Sequence, residues 1–345
     1  MTRLLASFLL CMVTILAAVT ASTQSSADSW RLTSDSEALV PDAALRAQIF
    51  HALDAAKSAG TDPSISHFKV RAATVVTVNR EDHVVLGGNT EYELPEAIHG
   101  ESSLLNHVTT LYGADTTRHA VRFVAFFSQR CGVSGSCGDC RDYQHAVTDY
   151  AHLLIVCGQA SDHTVRVTRF ADQLVDEEKF PAATPDSLPI TPGELAQLTQ
   201  SAVEARLGGV TLFTTARHTG ASGLSFSGKI YRSAGGDDAA FHYRFPIGGL
   251  LQQAATERDY FLRAIVVVAE KGQWPVVNYR DRQYGFESSS FNREAGESPI
   301  ALIVTDGLGH YRATTFEAAL PHAFSTANFM PQALKDFLQS HASPK

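Results

Sequence analysis

Residues able to bind one metal ion, His99 and the pair Cys137 and Cys140, stand at two places far apart in the chain, each where a helix is about to begin. A chain that uses them together must bring two helix N-termini to one place. Helix N-termini stabilise thiolates and set backbone donors beside a developing oxyanion, so the placement suits chemistry as well as folding. Zinc in hydrolytic sites takes three protein ligands, often Cys and His, and leaves the fourth position to water. Two residues past the histidine, Glu101 can face such a water and move protons without being a ligand. Two other readings stay open. Cys137 and Cys140 could be a redox pair, or a closed structural zinc could take Cys131 as its fourth ligand.

Apolar spacing sets the order of elements around these motifs. Pro41 to Gly60 has helical spacing at Leu45, Ile49, Phe50 and Leu53, opened by Pro and closed by Gly, and predicts an amphipathic helix after a polar spacer. Val70 to Val78 reads as a strand and Asp82 to Leu86 as its partner. Glu101 opens a helix carrying Leu104, Leu105 and Val108; Val121 to Phe127 is a strand, and Cys137 opens a helix through Val147. Leu153 to Cys157 and Thr164 to Phe170 complete the set as strands. The order is α/β, with both motifs at helix N-termini.

His-x-Glu followed by Cys-x-x-Cys is the signature of zinc-dependent nucleobase deaminases. With Asn89-Thr90-Glu91 and the strand Ser66-His67-Phe68-Lys69-Val70-Arg71-Ala72-Ala73, the chain resembles the cytidine deaminase family over roughly residues 60 to 160. The resemblance implies a three-layer α/β/α sandwich with a mixed sheet. It also implies zinc on His99, Cys137 and Cys140, proton transfer by Glu101, ribose contacts from Asn89 and Glu91, and packing of Phe68 on the pyrimidine. Four positions depart from the family pattern. Gly100 replaces a small Ala, and Ser136 replaces the Pro before the first Cys, leaving its carbonyl as an acceptor for a substrate amine. Arg71 stands where the family has Gly, which makes it a candidate substrate contact, and the stretch from Asn89 to His99 is short.

The second half looks like a copy of the first. Residues 176–194 hold four prolines and read as a linker. Beyond it, Phe226 to Ile230 echoes Phe68 to Val70, Phe245 to Gln252 echoes the stretch from Leu94 to Asn106, and Arg263 to Val268 matches Arg122 to Phe127. Continuing that last register sets Asn278 and Asp281 opposite Cys137 and Cys140, and Gly248-Gly249 in the region of the His-x-Glu. The copy has lost its ligands, as in the two-domain, dimeric members of the family. His242 stands near this remnant and could reach a partner's site. The expected organisation is a signal peptide (1–21), a spacer and helix (22–60), a catalytic domain (61–175), the linker (176–194) and a degenerate copy (195–345).

The apolar run from Leu4 to Ala18, followed by Val19-Thr20-Ala21, reads as a secretory signal, so a secreted or periplasmic location is expected, with no stable membrane contact after cleavage. Cys157 closes an apolar run and reads as a core thiol; its pairing with Cys131 cannot be assigned from sequence. A formal charge of -8 and the lack of a basic stripe disfavour nucleic-acid partners. The expected partners are a small-molecule nucleoside and, from the resemblance, a second copy in a homodimer. The leading expectation is hydrolytic deamination of cytidine or deoxycytidine to the uridine form with release of ammonia. Deamination of another aminated heterocycle or nucleoside analogue, related zinc hydrolysis, and non-catalytic zinc binding are the alternatives.

Overall fold

Side-chain alternation decides how the first sheet is built. In a computed structural model of the protein, which describes residues 29–91, 97–128, 131, 135–210, 218–237, 243–323 and 331–341, six strands form it. They are Arg31–Leu32 (β1), Arg71–Val78 (β2), Glu81–Gly88 (β3), Phe123–Ser128 (β4), Leu154–Gln159 (β5) and Thr164–Arg169 (β6), in the order β1-β6-β5-β4-β2-β3. β4 and β5 run parallel, and so do β1 and β6; the remaining neighbours are antiparallel. Along β2, Ala73 and Val75 face the helix Ala43–Ala56 (α1), while Ala72 and Val76 face the opposite core with Leu104, Leu105 and Val108 of Gly100–Tyr112 (α2). Asp42 caps α1 by accepting from the Ala44 N–H at 2.9 Å, and Leu45, Ile49, Ala52, Leu53 and Ala56 form its buried stripe. The described part of the polar spacer before it is packed: Trp30 is buried and β1 extends the sheet.

The second sheet repeats this plan. Its strands are Ala182–Ala183 (β7), Gly220–Ser225 (β8), Ile230–Ala234 (β9), Leu262–Val268 (β10), Ala301–Thr305 (β11) and Tyr311–Thr315 (β12), in the order β7-β12-β11-β10-β8-β9. Each position in the order is the first-sheet strand raised by six. The parallel pair recurs as β10 and β11, and only the edge strand differs, because β7 is antiparallel to β12. With Gly138–Val147 as α3, the second half supplies Pro192–Leu207 (α4), Pro246–Thr256 (α5) and Tyr279–Glu294 (α6) in the same sequence of roles. α1 and α4 cover the outer faces of their sheets, and the inner faces share one core to which both halves contribute.

Three expectations change. The proline-rich stretch 176–194 supplies β7 and buries Phe180 and Ile190, so it is part of the second half. Prolines suit it because Pro185 and Pro192 open short and long helical segments, where no N–H is needed. Phe226 to Lys229 lies in the turn joining β8 to β9 and therefore matches Asn79-Arg80 instead of Phe68 to Val70. Phe245, the N-cap of α5, stands where His99 caps α2, so Phe245-Pro246-Ile247 replaces His99-Gly100-Glu101 and Gly248-Gly249 lies just beyond. The register from Arg122 is kept: Phe127 pairs with Arg71, and Val268 pairs with Gly220.

The proposed signal, Leu94, Pro95 and His242 lie outside the described residues. Among the described residues, no helix is long and apolar enough to cross a membrane.

Candidate metal centre

His99 and Cys137 are the N-cap residues of α2 and α3, both with extended backbone, so the two helices present their N-termini to each other. The ligand atoms of His99, Cys137 and Cys140 lie within 4.8 Å of one another and could hold a metal ion. His99 Nδ1 is 3.0 Å from Cys137 Sγ and 3.3 Å from Cys140 Sγ. Gly100 is needed here, because a Cβ on it would sit 2.9 Å from the Val70 carbonyl oxygen. Cys131 is not available as a fourth ligand. It is joined to Cys157 in a disulfide spanning a Cα separation of 5.8 Å, which also corrects the reading of Cys157 as a core thiol. Two thiols and one imidazole, with no fourth Cys or His in the group among the described residues, are the donor set of an open zinc site.

The electrostatics are those of a site made to hold a cation. The hydrogen bond from Cys140 holds Cys137 well below the ordinary thiol value, with His99 adding to the effect against the cost of burial. The charge of Cys137 then raises His99 to about 10, while its coupling and burial push Cys140 well above the usual range. Glu101 is buried beside them; desolvation first, and the Cys137 charge second, raise its carboxyl above the ordinary value, partly opposed by His99 and a Cys140 hydrogen bond.

The remaining candidates separate into two groups. Asn89 clamps the chain beside the site: its Oδ1 accepts from the Val70 N–H at 2.9 Å and its Nδ2 donates to the Phe68 carbonyl at 2.8 Å. Glu91 accepts from the N–H groups of Ile65 (3.0 Å) and Ser66 (2.6 Å) and from the Ser66 hydroxyl. Burial opposes its ionisation, but these bonds hold it below the ordinary carboxylate value. Phe68 is half-buried on the same loop, whose Val70 abuts Gly100. Arg71 is elsewhere. It shares the strand face of Ala73 and Val75, toward α1, whereas Ala72 faces α2. The Ser136 carbonyl already accepts from Arg141 Nε at 2.8 Å, while the Ser136 hydroxyl is buried without a partner.

Sequence reasoning missed the interface behind the ligands. Arg141 is fully buried and donates to the Ser136, Gln173 and Pro321 carbonyls; Arg282 is its counterpart and donates to the Val277, Ala319 and Val175 carbonyls. Each arginine thus ties the turn after its own last strand to the same turn in the other half. The helix N-termini exchange caps as well. Gly138 N–H donates to Gln283 Oε1 at 3.2 Å, and Tyr279 N–H donates to Asp142 Oδ1 at 3.1 Å. Gly138 has room for no side chain, since its Cβ would lie 2.0 Å from the Tyr279 carbonyl oxygen. Asp139 pairs with Arg280 at 2.7 Å. The signal was present in the shared spacing of Cys140-Arg141-Asp142-Tyr143 and Asp281-Arg282-Gln283-Tyr284.

No protein-family model and no curated protein matches the chain. Solved structures similar to part of it are cytidine deaminases. One from Burkholderia pseudomallei is 22% identical, covers 37% of this chain and 98% of its own, and has a TM-score of 0.33. One from Mycobacterium tuberculosis is 22% identical over 39% of this chain and 95% of its own, with a TM-score of 0.28. One from Mycobacterium leprae is 18% identical over 38% and 97%, with a TM-score of 0.27.

Proposed function

We propose that the chain is an exported, zinc-dependent deaminase that hydrolyses the exocyclic amine of cytidine or deoxycytidine and releases ammonia. The observation that carries this reading is the placement of a buried carboxyl, Glu101, against a three-ligand cluster of His99, Cys137 and Cys140. Zinc bound there would act as a Lewis acid and lower the pKa of water near neutrality.

The side chains of this chain divide the remaining work. Glu101 can take a proton from the attacking water and give it to the ring nitrogen next to the reacting carbon, then take the remaining proton of the added hydroxyl and pass it to the departing amine. The α2 and α3 N-termini favour the thiolate ligands. Asn89 and Glu91 shape the loop that presents Phe68, through bonds to the chain itself. The Ser136 hydroxyl, buried and unpartnered beside Cys137, can meet a polar group of the substrate. The Cys131–Cys157 disulfide supports export to an oxidising compartment, and in this reading the chain acts as a homodimer on free nucleosides.

Ammonia release across a panel of aminated nucleosides and bases tests the proposal. Cytidine or deoxycytidine should turn over, and Glu101→Gln should keep zinc while losing roughly a hundredfold or more in rate. Turnover of a different aminated heterocycle alone would replace the substrate assignment. Turnover of none by the zinc-loaded protein would leave a zinc-binding protein.

A further inference from the structure

The second half keeps the architecture around the metal centre, loses the ligands, and leaves the space open. A cleft of about 940 Å³ lies there, bordered by Asp237, Tyr243, Arg244, Phe245, Arg280 and Tyr284. Its volume is in the range of small-molecule sites. Each wall has a counterpart in the first half. Asp237 pairs with Tyr243 in a short ladder as Glu91 pairs with Ala97, Phe245 caps α5 as His99 caps α2, and Arg280 and Tyr284 stand on α6 where Asp139 and Tyr143 stand on α3.

The chemistry of the walls differs from that of the metal centre. The Phe245 ring meets Tyr243 edge-on at 5.1 Å and Tyr284 at 6.3 Å, and the Arg280 guanidinium lies 5.0 Å over its centre. This is an aromatic wall with a cation held against it, a surface on which a planar ring can pack. The helix end behind it is not an anion site, because Asp281 already accepts from the Gly248 N–H at 3.0 Å. Positive charge comes instead from Arg244, which is exposed and forms no ion pair among the described residues. With Phe245 and Ile247 in the places of His99 and Glu101, the cleft has neither a metal ligand nor a proton carrier at these positions.

We propose that this second cleft binds a nucleoside monophosphate without turning it over, with the ring against Phe245 and Tyr284 and the phosphate on Arg244. The proposal goes beyond the deaminase reading and does not depend on which amine the first half hydrolyses.

Calorimetric titration of the full zinc-loaded protein with uridine monophosphate tests it, since this ligand has no exocyclic amine to lose. Binding of about one molecule per chain is expected, roughly tenfold or more tighter than either inorganic phosphate or uridine, each of which keeps only part of the ligand. Arg244→Ala and Tyr284→Ala should each weaken it by roughly tenfold or more while leaving deaminase turnover unchanged. Absence of saturable binding, equal binding of phosphate alone, or unchanged affinity in both variants would overturn the proposal. Failure of the deaminase assay alone would leave the titration result standing.

Discussion

Asp281 accepts a hydrogen bond from the Gly248 N–H at 3.0 Å, so a carboxyl in the place of Cys140 ties together the two helix N-termini, α5 and α6, whose counterparts converge on the metal cluster. Asn278, in the place of Cys137, accepts from the Asp281 N–H at 2.8 Å and caps its own helix. Internal hydrogen bonds hold in the second half what thiol and imidazole groups are arranged around in the first.

Burial raises Asp281 to about 7 against the N–H groups of Gly248 and Ile247. The unfolded chain loses this proton near the ordinary carboxylate value, while the folded chain keeps it to about 7. Stability should therefore fall as pH rises through that window, by at most about 1.4 kcal/mol per pH unit. Asp281→Asn removes the titration and keeps an acceptor. Its Tm relative to the parent should rise between pH 4.5 and pH 7.5, and a difference constant over that range would show that the buried carboxyl does not titrate as described.

Among the described residues only one half carries the candidate ligand cluster, so metal analysis of the purified protein should find about one zinc per chain. His99 and Cys140 hold protons that the metal must displace, and zinc uptake should release protons and weaken as pH falls. Cys137→Ser and Cys140→Ser should each lose zinc and activity. Full zinc content in both variants would place the ligands elsewhere.

The Asn89 side chain bonds the chain on both sides of Lys69, and its loss leaves the Val70 N–H and Phe68 carbonyl without that partner. Asn89→Ala should cost roughly 1–3 kcal/mol in denaturant unfolding and lower turnover of nucleoside and free base alike. A loss confined to nucleosides would give Asn89 a direct ribose contact instead. Arg71→Gly, on the far strand face, should leave the preference between cytidine and anionic analogues unchanged.

The Cys131–Cys157 disulfide joins the segment leading to Cys137 to the central strand β5. Its reduction should lower stability by on the order of 3 kcal/mol by the chain-entropy argument. Thermal unfolding of the protein with and without a thiol-free reductant, at fixed zinc, measures this directly. Equal Tm values in the two states would remove the disulfide from the stability of the fold.

The strands and helices of the first half were legible because each is a local pattern. Leu45, Ile49 and Leu53 mark a helix by spacing alone, and Ala72 to Val76 alternate between two cores as a strand with helices on both faces must. The meeting of His99, Cys137 and Cys140 was legible because metal binding would call for these side chains at the starts of two helices. The place of Arg71 was not, since its strand face depends on which helix packs on which side. The bonds of Asn89 and Glu91 to the loop that carries Phe68 were not legible either, because they join segments distant in the chain. The repeat of the second half was visible in outline, but its register was misplaced at Phe226 to Lys229, which form the β8–β9 turn, a longer connection than Asn79-Arg80 between β2 and β3. Only the packed structure showed that Arg141 and Arg282 join the two halves, because a buried guanidinium satisfies itself on backbone carbonyls, and these leave no mark in the order of side chains.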